Sequence, residues 1–330
     1  MSAYLPEIFL GLMGLAVLVY AILDGYDLGV GLLLPAHDRK WRDDMIASIG
    51  PFWDANETWL VLAIGLLLIA FPAAHSLVLR ELYFPVAIML IGLILRGVAF
   101  DFRAKALTHY QNLWDALFKL GSLLASASQG FGLGLYVMGF AHTPAAYGFA
   151  LLSAVCVTAA YAYIGGAWLV LKTTGELQKY AAYKARRAGW LVMLGVGAIS
   201  ITNPLISPDV AARWLTMPNA ILLAPIPVLC VILLLITDRY LRRVPHHDDF
   251  GCWIPFTAVA SLFTLCLIGL AYSYFPYVVP GTLTAQQAAS ATESLQFIGW
   301  GVLVVFPVIL GYTALSYWIF RGKSQDLHYY

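Results

Sequence analysis

Charged side chains are scarce in this sequence. Asp, Glu, Lys and Arg together make up 11% of its 330 residues, whereas hydrophobic residues make up 61%. A soluble globular domain carries about 25% charged residues, so this composition excludes an ordinary soluble protein and favours one built for lipid. The formal net charge is only +1 and no basic block occurs, which excludes the electrostatic surface that a nucleic-acid partner requires.

Cysteine and histidine patterns typical of metal sites are also missing. The four cysteines are Cys156, Cys230, Cys252 and Cys266. Because they show no CxxC spacing, we interpret them as small packing residues rather than as disulfides or zinc ligands. The seven histidines fall in predicted loops, helix ends or the C-terminal tail, at His37, His75, His109, His142, His246, His247 and His328. None lies where a helix bundle holds a haem ligand, and the sequence predicts no catalytic residue and no metal site in this chain.

Long apolar runs dominate what is present. Nine of them approach or exceed the length that crosses a hydrocarbon core of about 30 Å, over residues 7–34, 51–72, 78–101, 114–138, 147–171, 188–206, 218–238, 253–275 and 296–320. Most links between them are short, so consecutive helices are expected to pack as antiparallel neighbours. The sequence therefore predicts an all-α membrane protein with nine transmembrane helices, which form one transmembrane domain over residues 1–330.

Basic residues predict the orientation of these helices. If the N-terminus lies outside, the cytoplasmic segments 39–42, 103–105, 172–187, 239–243 and 321–323 hold 15 of the 19 Lys and Arg residues. The outer segments hold only Arg80 and Arg213. This asymmetry satisfies the positive-inside rule at every loop, and it predicts an outer N-terminus and a cytoplasmic C-terminus.

Polar residues interrupt the first three predicted spans at the cytoplasmic side. Asp24 and Asp27 lie in the inner half of the first span. The second span begins with Asp54, Asn56 and Glu57, and the third ends with Arg96, Asp101 and Arg103. One buried Asp costs about 3 kcal/mol near the bilayer centre, so we expect these side chains to meet one another or water.

The spacing of these residues allows two interpretations. Both acidic pairs are three residues apart, which places each pair on one helix face. Asp101 lies on a different face from Arg96 and is better placed to meet Lys105 or another chain. Carboxyl groups with pKa values on either side of the working pH are suited to pass protons along a relay. The alternative is architectural, with buried ion pairs that set helix register and first-turn acids that suit the helix dipole.

Two tryptophans flank the second acidic pair. Trp53 and Trp59 are typical of interface and packing aromatics. A position that faces a cofactor, a quinone or a partner subunit is the alternative for both.

Four stretches resemble subunit II of the cytochrome bd family of quinol oxidases, in its cyanide-insensitive branch. They are "DGYDLGVG" at 24–31, "SIGPFWDANETW" at 48–59, "LRGVAFDFR" at 95–103 and "YWIFRGK" at 317–323. The sequence departs from the family pattern at Tyr26, where Phe is usual, at Ala55, where Gly is common, and at Asp101, where Glu is frequent. The specific motifs cover mainly the first third of the chain.

The resemblance implies a fold and a complex. The fold would be two four-helix bundles, over residues 1–140 and 145–275, with a peripheral ninth helix over 296–320. A haem-bearing subunit I would be the partner and would carry low-spin haem b, high-spin haem b and haem d, while this chain binds none. The complex would oxidise quinol and reduce dioxygen to water in the bacterial inner membrane. A bound quinone or lipid and a small single-helix accessory subunit are further partners that the family allows.

The motif match also implies a role for individual residues. Asp24, Asp54 and Asp101 correspond to carboxylates of a proposed proton path from the cytoplasm in this family. The supporting polar residues would be Asp27, Asn56, Glu57, Arg96 and Arg103. Two alternatives stay open, a purely structural subunit of the same complex and a stand-alone proton-coupled transporter. The transporter is disfavoured because the cluster lies toward one leaflet, whereas transporter sites lie near the bilayer midplane at broken helices.

Overall fold

The computed structural model describes residues 4–105 and 110–324, so His109 and His328 lie outside the described residues. Its long helices are α1 (Leu5–Leu33), α3 (Trp53–Ala70), α5 (Tyr83–Lys105), α6 (Gln111–Val137), α7 (Pro144–Lys172), α8 (Gly175–Ile206), α11 (Pro225–Leu241), α12 (Ile254–Tyr274) and α14 (Thr292–Ile319). The short elements are α2 (Arg39–Ala47), α4 (Pro72–Glu81), α9 (Pro208–Leu215), α10 (Asn219–Leu223), α13 (Ala285–Ala288) and an antiparallel pair of strands, β1 (Tyr277–Val279) and β2 (Leu283–Thr284).

Eight helical segments in the described part of the chain are long and apolar enough to cross a membrane. They support the prediction of an all-α, multi-pass membrane protein. The fourth apolar run, 114–138, forms the 27-residue helix α6, but its serines, glycines and Gln129 lower its hydropathy and it is not among the eight. A ninth crossing and the orientation of the termini therefore stay predictions.

Helix boundaries differ from the apolar runs at three places. The run 78–101 begins inside α4 and continues in α5. Helix α8 begins at Gly175, well before the run 188–206, because the polar link that precedes this run is itself helical. The run 218–238 is divided between α10 and α11, and Pro225 is the first residue of α11. Proline suits a first helical position, since its missing N–H has no partner there in any case.

Helix α1 lies at the centre of the packing. It contacts α3, α6, α7 and α12, while α5, α6, α7 and α8 pack in sequence order and α11 packs against α12 and α8. Helices α1 and α7 belong to different predicted bundles, yet they pack closely. The division of the chain into two four-helix bundles, over residues 1–140 and 145–275, therefore stays a prediction.

Two glycines allow α1 and α7 to approach this closely. A Cβ atom on Gly29 would overlap the backbone carbonyl of Tyr161, and one on Gly165 would overlap the backbone of Gly29. With hydrogen atoms in place of side chains, the two backbones come into direct contact. This contact buries the C-terminal third of α1, including every residue of the 24–31 motif.

Helix α14 is the least buried of the long helices, and Leu295 is its one buried residue. The peripheral position of the segment 296–320 stays a prediction. Near its C-terminal end, however, Tyr317 reaches the interior, where its ring stacks on Phe52 with a centroid separation of 4.5 Å. The end of α14 therefore touches the same region as the acidic motif of α1.

Candidate functional site

The centre of the site is a buried ion pair between α1 and α5. Asp24 and Arg96 are 0% and 1% exposed, and the Asp24 Oδ1 atom lies 2.6 Å from Arg96 Nη2. The same Nη2 atom also pairs with Glu57 of α3, whose side chain is 30% exposed. One guanidinium therefore joins a fully buried carboxylate to one that reaches the surface.

A second group of side chains surrounds Asp27, which is also fully buried. Asn56 Nδ2 donates to Asp27 Oδ2 at 2.8 Å and to the Tyr26 hydroxyl at 3.0 Å. The Tyr317 hydroxyl donates to Asn56 Oδ1 at 3.1 Å and lies 2.6 Å from the Tyr26 hydroxyl. Asp27 is thus contacted by a neutral amide, whereas Asp24 is contacted by a cation.

A third polar chain crosses from α1 to α7. Tyr161 donates to Gln129 Oε1 at 2.7 Å, and Gln129 Nε2 donates to the Tyr20 hydroxyl, also at 2.7 Å. Tyr20 lies one turn before Asp24 on α1. The polar character of α6, which lowers its hydropathy, thus places a hydrogen-bonding side chain next to the acidic segment.

Arg103 belongs to a different network, which corrects its predicted place in the Arg96 cluster. Its Nε atom lies 2.5 Å from a carboxylate oxygen of Asp115 on α6. Its Nη2 atom lies 2.5 Å from a carboxylate oxygen of Asp43 on α2. Arg42 Nε lies 2.7 Å from the other oxygen of Asp115. Arg96 and Arg103 share a helix face but are separated by about 10 Å along the axis, so they meet different partners. This second network ties α2 to the C-terminal end of α5 and the N-terminal end of α6.

Asp54 and Asp101 are exposed in this chain. Neither belongs to the ion pairs of Arg96, which are with Asp24 and Glu57. Lys105, the partner considered for Asp101, is exposed as well. The structure therefore brings Asp24, Asp27, Asn56, Glu57 and Arg96 together and leaves Asp54 and Asp101 on the outside of α3 and α5.

The two tryptophans occupy different environments. Trp59 is 1% exposed and packs edge-on against Phe306 of α14, with ring centroids 5.8 Å apart. Trp53 is half-buried at the start of α3 and lies 4.8 Å from the Phe100 ring. Both contacts are with aromatic side chains of this chain and suit a packing role.

Sequence reasoning missed several members of the site. They are Tyr20, Tyr26, Arg42, Asp43, Asp115, Gln129, Tyr161 and Tyr317. Tyr26 and Tyr317 fall inside two of the quoted motifs, which was the signal available for them. Gln129 could have been found as an amide within an otherwise small and apolar helix face.

The described histidines do not fit a haem site between the helices. His37, His142 and His247 are exposed, and His75 and His246 are half-buried. No group of three or more His, Cys, Asp or Glu side chains in the described segments is arranged to hold a metal ion. The carboxyl groups of Asp24, Asp27 and Glu57 can exchange protons, and the side chains that contact them can orient them.

Comparison with known proteins agrees with the motifs. A family model described as cytochrome bd terminal oxidase subunit II matches residues 5–320. Cytochrome bd-I ubiquinol oxidase subunit 2 of Escherichia coli (strain K12) is 30% identical over 94% of this chain and 93% of that protein. Cytochrome bd ubiquinol oxidase subunit 2 of Bacillus subtilis (strain 168) is 28% identical over 97% of both chains. A chain in the structure of bd oxidase from Geobacillus thermodenitrificans superposes with a TM-score of 0.75, at 18% identity, over 96% of this chain and 98% of that one.

Proposed function

Since the chain belongs to the cytochrome bd terminal oxidase subunit II family, and so is a component of a quinol oxidase complex with subunit I, we propose that it delivers cytoplasmic protons to that partner. The complex reduces dioxygen at haems, which we place in subunit I because the described histidines of this chain do not suit haem ligation. We further propose the bacterial inner membrane as its location. Bound quinone or lipid and a single-helix accessory subunit stay proposals from the family.

One observation carries the proposal. Asp24 is fully buried and paired with Arg96, and Arg96 also holds the partly exposed Glu57. Because Asp24 and Glu57 share one nitrogen of Arg96, a buried carboxyl group lies near a partly exposed one, and this pair of carboxyl groups is a suitable station for protons that enter from water. A buried ionisable group inside a membrane is otherwise costly, which favours a functional reason for keeping it.

The exposed carboxylates of Asp54 and Asp101 are the remaining groups on the proposed proton path. Asp54 lies in the first turn of α3 and Asp101 in the last turns of α5, both at the predicted cytoplasmic side. We propose that these two carboxylates face subunit I and continue the path from Asp24 along the contact between the subunits. In that arrangement they are exposed in the isolated chain and covered in the complex.

The structural alternative has an observation of its own in its favour. Arg96 is fully buried among carboxylates that neutralise it, and such a triad can simply hold α1, α3 and α5 in register. In that case removal of one acid lowers the amount of assembled complex and leaves turnover per haem unchanged.

The Asp24→Asn variant distinguishes proton delivery from a purely structural role of the cluster. The amide keeps the size of the side chain but cannot exchange a proton, so we expect oxygen consumption per haem to fall at least tenfold, a typical contribution of one acid–base group being about 100-fold. Haem content of the purified complex should stay near normal. Asp209→Asn, which changes an exposed acid on α9, is the matched control and should leave both quantities unchanged.

Two outcomes would contradict proton delivery. Normal turnover per haem in Asp24→Asn shows that protons reach the oxygen site by another route. A parallel loss of complex and haem, with normal turnover in the complex that remains, identifies Asp24 as structural.

A further inference from the structure

Two arginines from neighbouring helices meet at one carboxylate in the second half of the chain. Arg186 of α8 donates from Nε to Asp238 Oδ1 on α11 at 3.0 Å. Arg242, the residue that follows α11, donates from Nε to Asp238 Oδ2 at 2.7 Å. The Asp238 side chain is 16% exposed, whereas those of Arg186 and Arg242 are 30% and 56% exposed. The carboxylate is thus the inner member of this group, and the two guanidinium groups are its outer members.

Both guanidinium groups keep donors for a further ligand. Their bonds to Asp238 start at Nε, and within the described residues their Nη atoms make no hydrogen bond. Two arginines and one aspartate leave the group with a net charge of +1. The planar N–H donors of a guanidinium match the oxygens of a phosphate, so a group with fixed, unused Nη donors is suited to bind a phosphate.

The two arginines lie at the expected depth of lipid headgroups. The apolar run 188–206 spans about 28 Å at 1.5 Å per residue, close to the thickness of a hydrocarbon core. Arg186 directly precedes this run on α8, and Asp238 ends the run 218–238 on α11. Trp190 lies one turn further along α8 and is exposed, as is typical of a tryptophan at a membrane interface.

An apolar groove continues from the charged group toward the interior of the predicted membrane. Arg186 and Asp238 form its polar end. Its other walls come mainly from α8 and α11 and include Trp190, Met193, Leu234 and Leu235. Because Trp190 and Leu235 are exposed, the groove is open along the side that faces the bilayer. Its shape suits an acyl chain whose polar end reaches Arg186.

We propose that this groove binds one anionic phospholipid. Arg186 and Arg242 hold its phosphate, and one of its acyl chains lies along Trp190 and Leu235. The proposal assigns a site and a charge class to the lipid that the family allows. It is independent of proton delivery, because Arg186 and Arg242 pair with Asp238 rather than with the acids of the Arg96 cluster.

Charge complementarity selects an anionic lipid over a zwitterionic one. Arg187 follows Arg186 on α8, and Arg239 and Arg243 lie at the same end of α11, and all three are exposed. The amine of a zwitterionic headgroup would meet these cations, whereas a headgroup with a net negative charge is attracted by them. Basic pockets between transmembrane helices bind anionic headgroups for this reason.

The test is lipid binding to the purified and delipidated oxidase complex, measured by native mass spectrometry. Phosphatidylglycerol and phosphatidylcholine with the same acyl chains are the probes. We expect the first phosphatidylglycerol to bind at least about fivefold more tightly than the first phosphatidylcholine. Arg186→Gln and Arg242→Gln should each weaken phosphatidylglycerol binding about fivefold, the equivalent of about 1 kcal/mol for one basic side chain near an anionic lipid.

The matched control is Arg39→Gln, which removes the same charge from an exposed arginine on the same predicted side of the membrane. Arg39 begins α2 and does not line the groove, so its variant should bind both lipids as the unaltered complex does. A cryo-EM structure of the unaltered complex in phosphatidylglycerol nanodiscs locates the lipid. It should show a headgroup against Arg186 and an acyl chain along Trp190.

Four results would overturn the proposal. They are equal affinity for the two lipids, variants of Arg186 and Arg242 that bind phosphatidylglycerol as the control does, a protein chain seated in the groove, and displacement of the lipid by inorganic phosphate at equal concentration. If Arg186→Gln does not assemble, the exposed Arg242 decides the outcome through its own variant. Normal turnover in Asp24→Asn would end the proton-delivery hypothesis and leave these binding results unchanged, so the two hypotheses fail separately.

Discussion

At the scale of single residues, the site depends on one cation that two carboxylates share. Asp24 and Glu57 both use Arg96, and the cation itself is 1% exposed. Removal of one member of such a buried group leaves an uncompensated charge, which costs more than the intact group contributes. Arg96 is therefore the residue whose loss should harm the protein most, whether the cluster conducts protons or only holds helices in register.

Arg96→Leu should destabilise the folded complex by about 3–5 kcal/mol, because it leaves two carboxylates without their counter-charge in a low-dielectric site. The amount of haem-containing complex in membranes and its thermal unfolding midpoint measure this effect. Arg80→Leu is the control, since the Arg80 side chain is 73% exposed and pairs with its neighbour Glu81. Equal unfolding midpoints for the two variants would show that the buried ion pairs do not stabilise the fold.

At the scale of elements, the burial of the acids follows from the contact between α1 and α7. Gly29 and Gly165 bring the two backbones together, and the residues 24–31 are all buried as a result. Ordinary side chains at these two positions would separate the helices and open the acidic segment to lipid. Gly29 and Gly165 thus serve the site indirectly, by holding the helix that carries both carboxylates.

Gly29→Ala tests this contact. The added methyl group would overlap the Tyr161 carbonyl, so we expect a loss of about 1–3 kcal/mol from overpacking and a lower unfolding temperature of the complex. Gly11→Ala, on the same helix but with no atom near the added Cβ, should change stability by no more than about 1 kcal/mol. A Gly29→Ala complex that melts with the Gly11→Ala control would contradict a close backbone contact.

At the scale of the whole molecule, the number of membrane crossings depends on whether α6 spans the bilayer. Near its first turns Lys119 donates to the carbonyl of Leu34, just after the end of α1. Near its last turn Tyr136 donates to the carbonyl of Val278 in β1, and Gln286, close to that strand pair, donates to Glu7 in the first turn of α1. Helix α6 therefore runs antiparallel to α1 over the same length, which supports a ninth crossing even though α6 is more polar than the other spans.

Accessibility of introduced cysteines checks this topology. In a Cys252→Ser background, His142→Cys should react with a membrane-impermeant thiol reagent from outside the cell. Lys40→Cys and Arg321→Cys should react only after the membrane is opened. If the N-terminus lies outside and the chain crosses nine times, the segment after α1 and the C-terminal segment are inside, whereas the segment after α6 is outside. All three positions are exposed. Protection of His142→Cys, or outside labelling of Arg321→Cys, would show that α6 does not cross.

Several features of this protein were determined by the sequence alone. Apolar length identified it as a multi-pass helical membrane protein, and its motifs identified the family, which the comparisons confirm. Depth along each helix placed Asp24, Glu57 and Arg96 at a common level, and the structure has them in contact. These inferences succeed because rise per residue and hydropathy are local properties that a single helix expresses by itself.

Only the tertiary structure decided which of the polar residues meet. Spacing placed Arg103 on the face of Arg96, yet it binds Asp43 and Asp115. Tyr317 comes from a helix 291 residues away from Tyr26 in sequence, and no local pattern predicts that pairing. The rotation of each helix about its axis, and the choice of its neighbours, depend on how all helices pack together at positions such as Gly29 and Gly165. A periodicity within one helix contains no information about that choice.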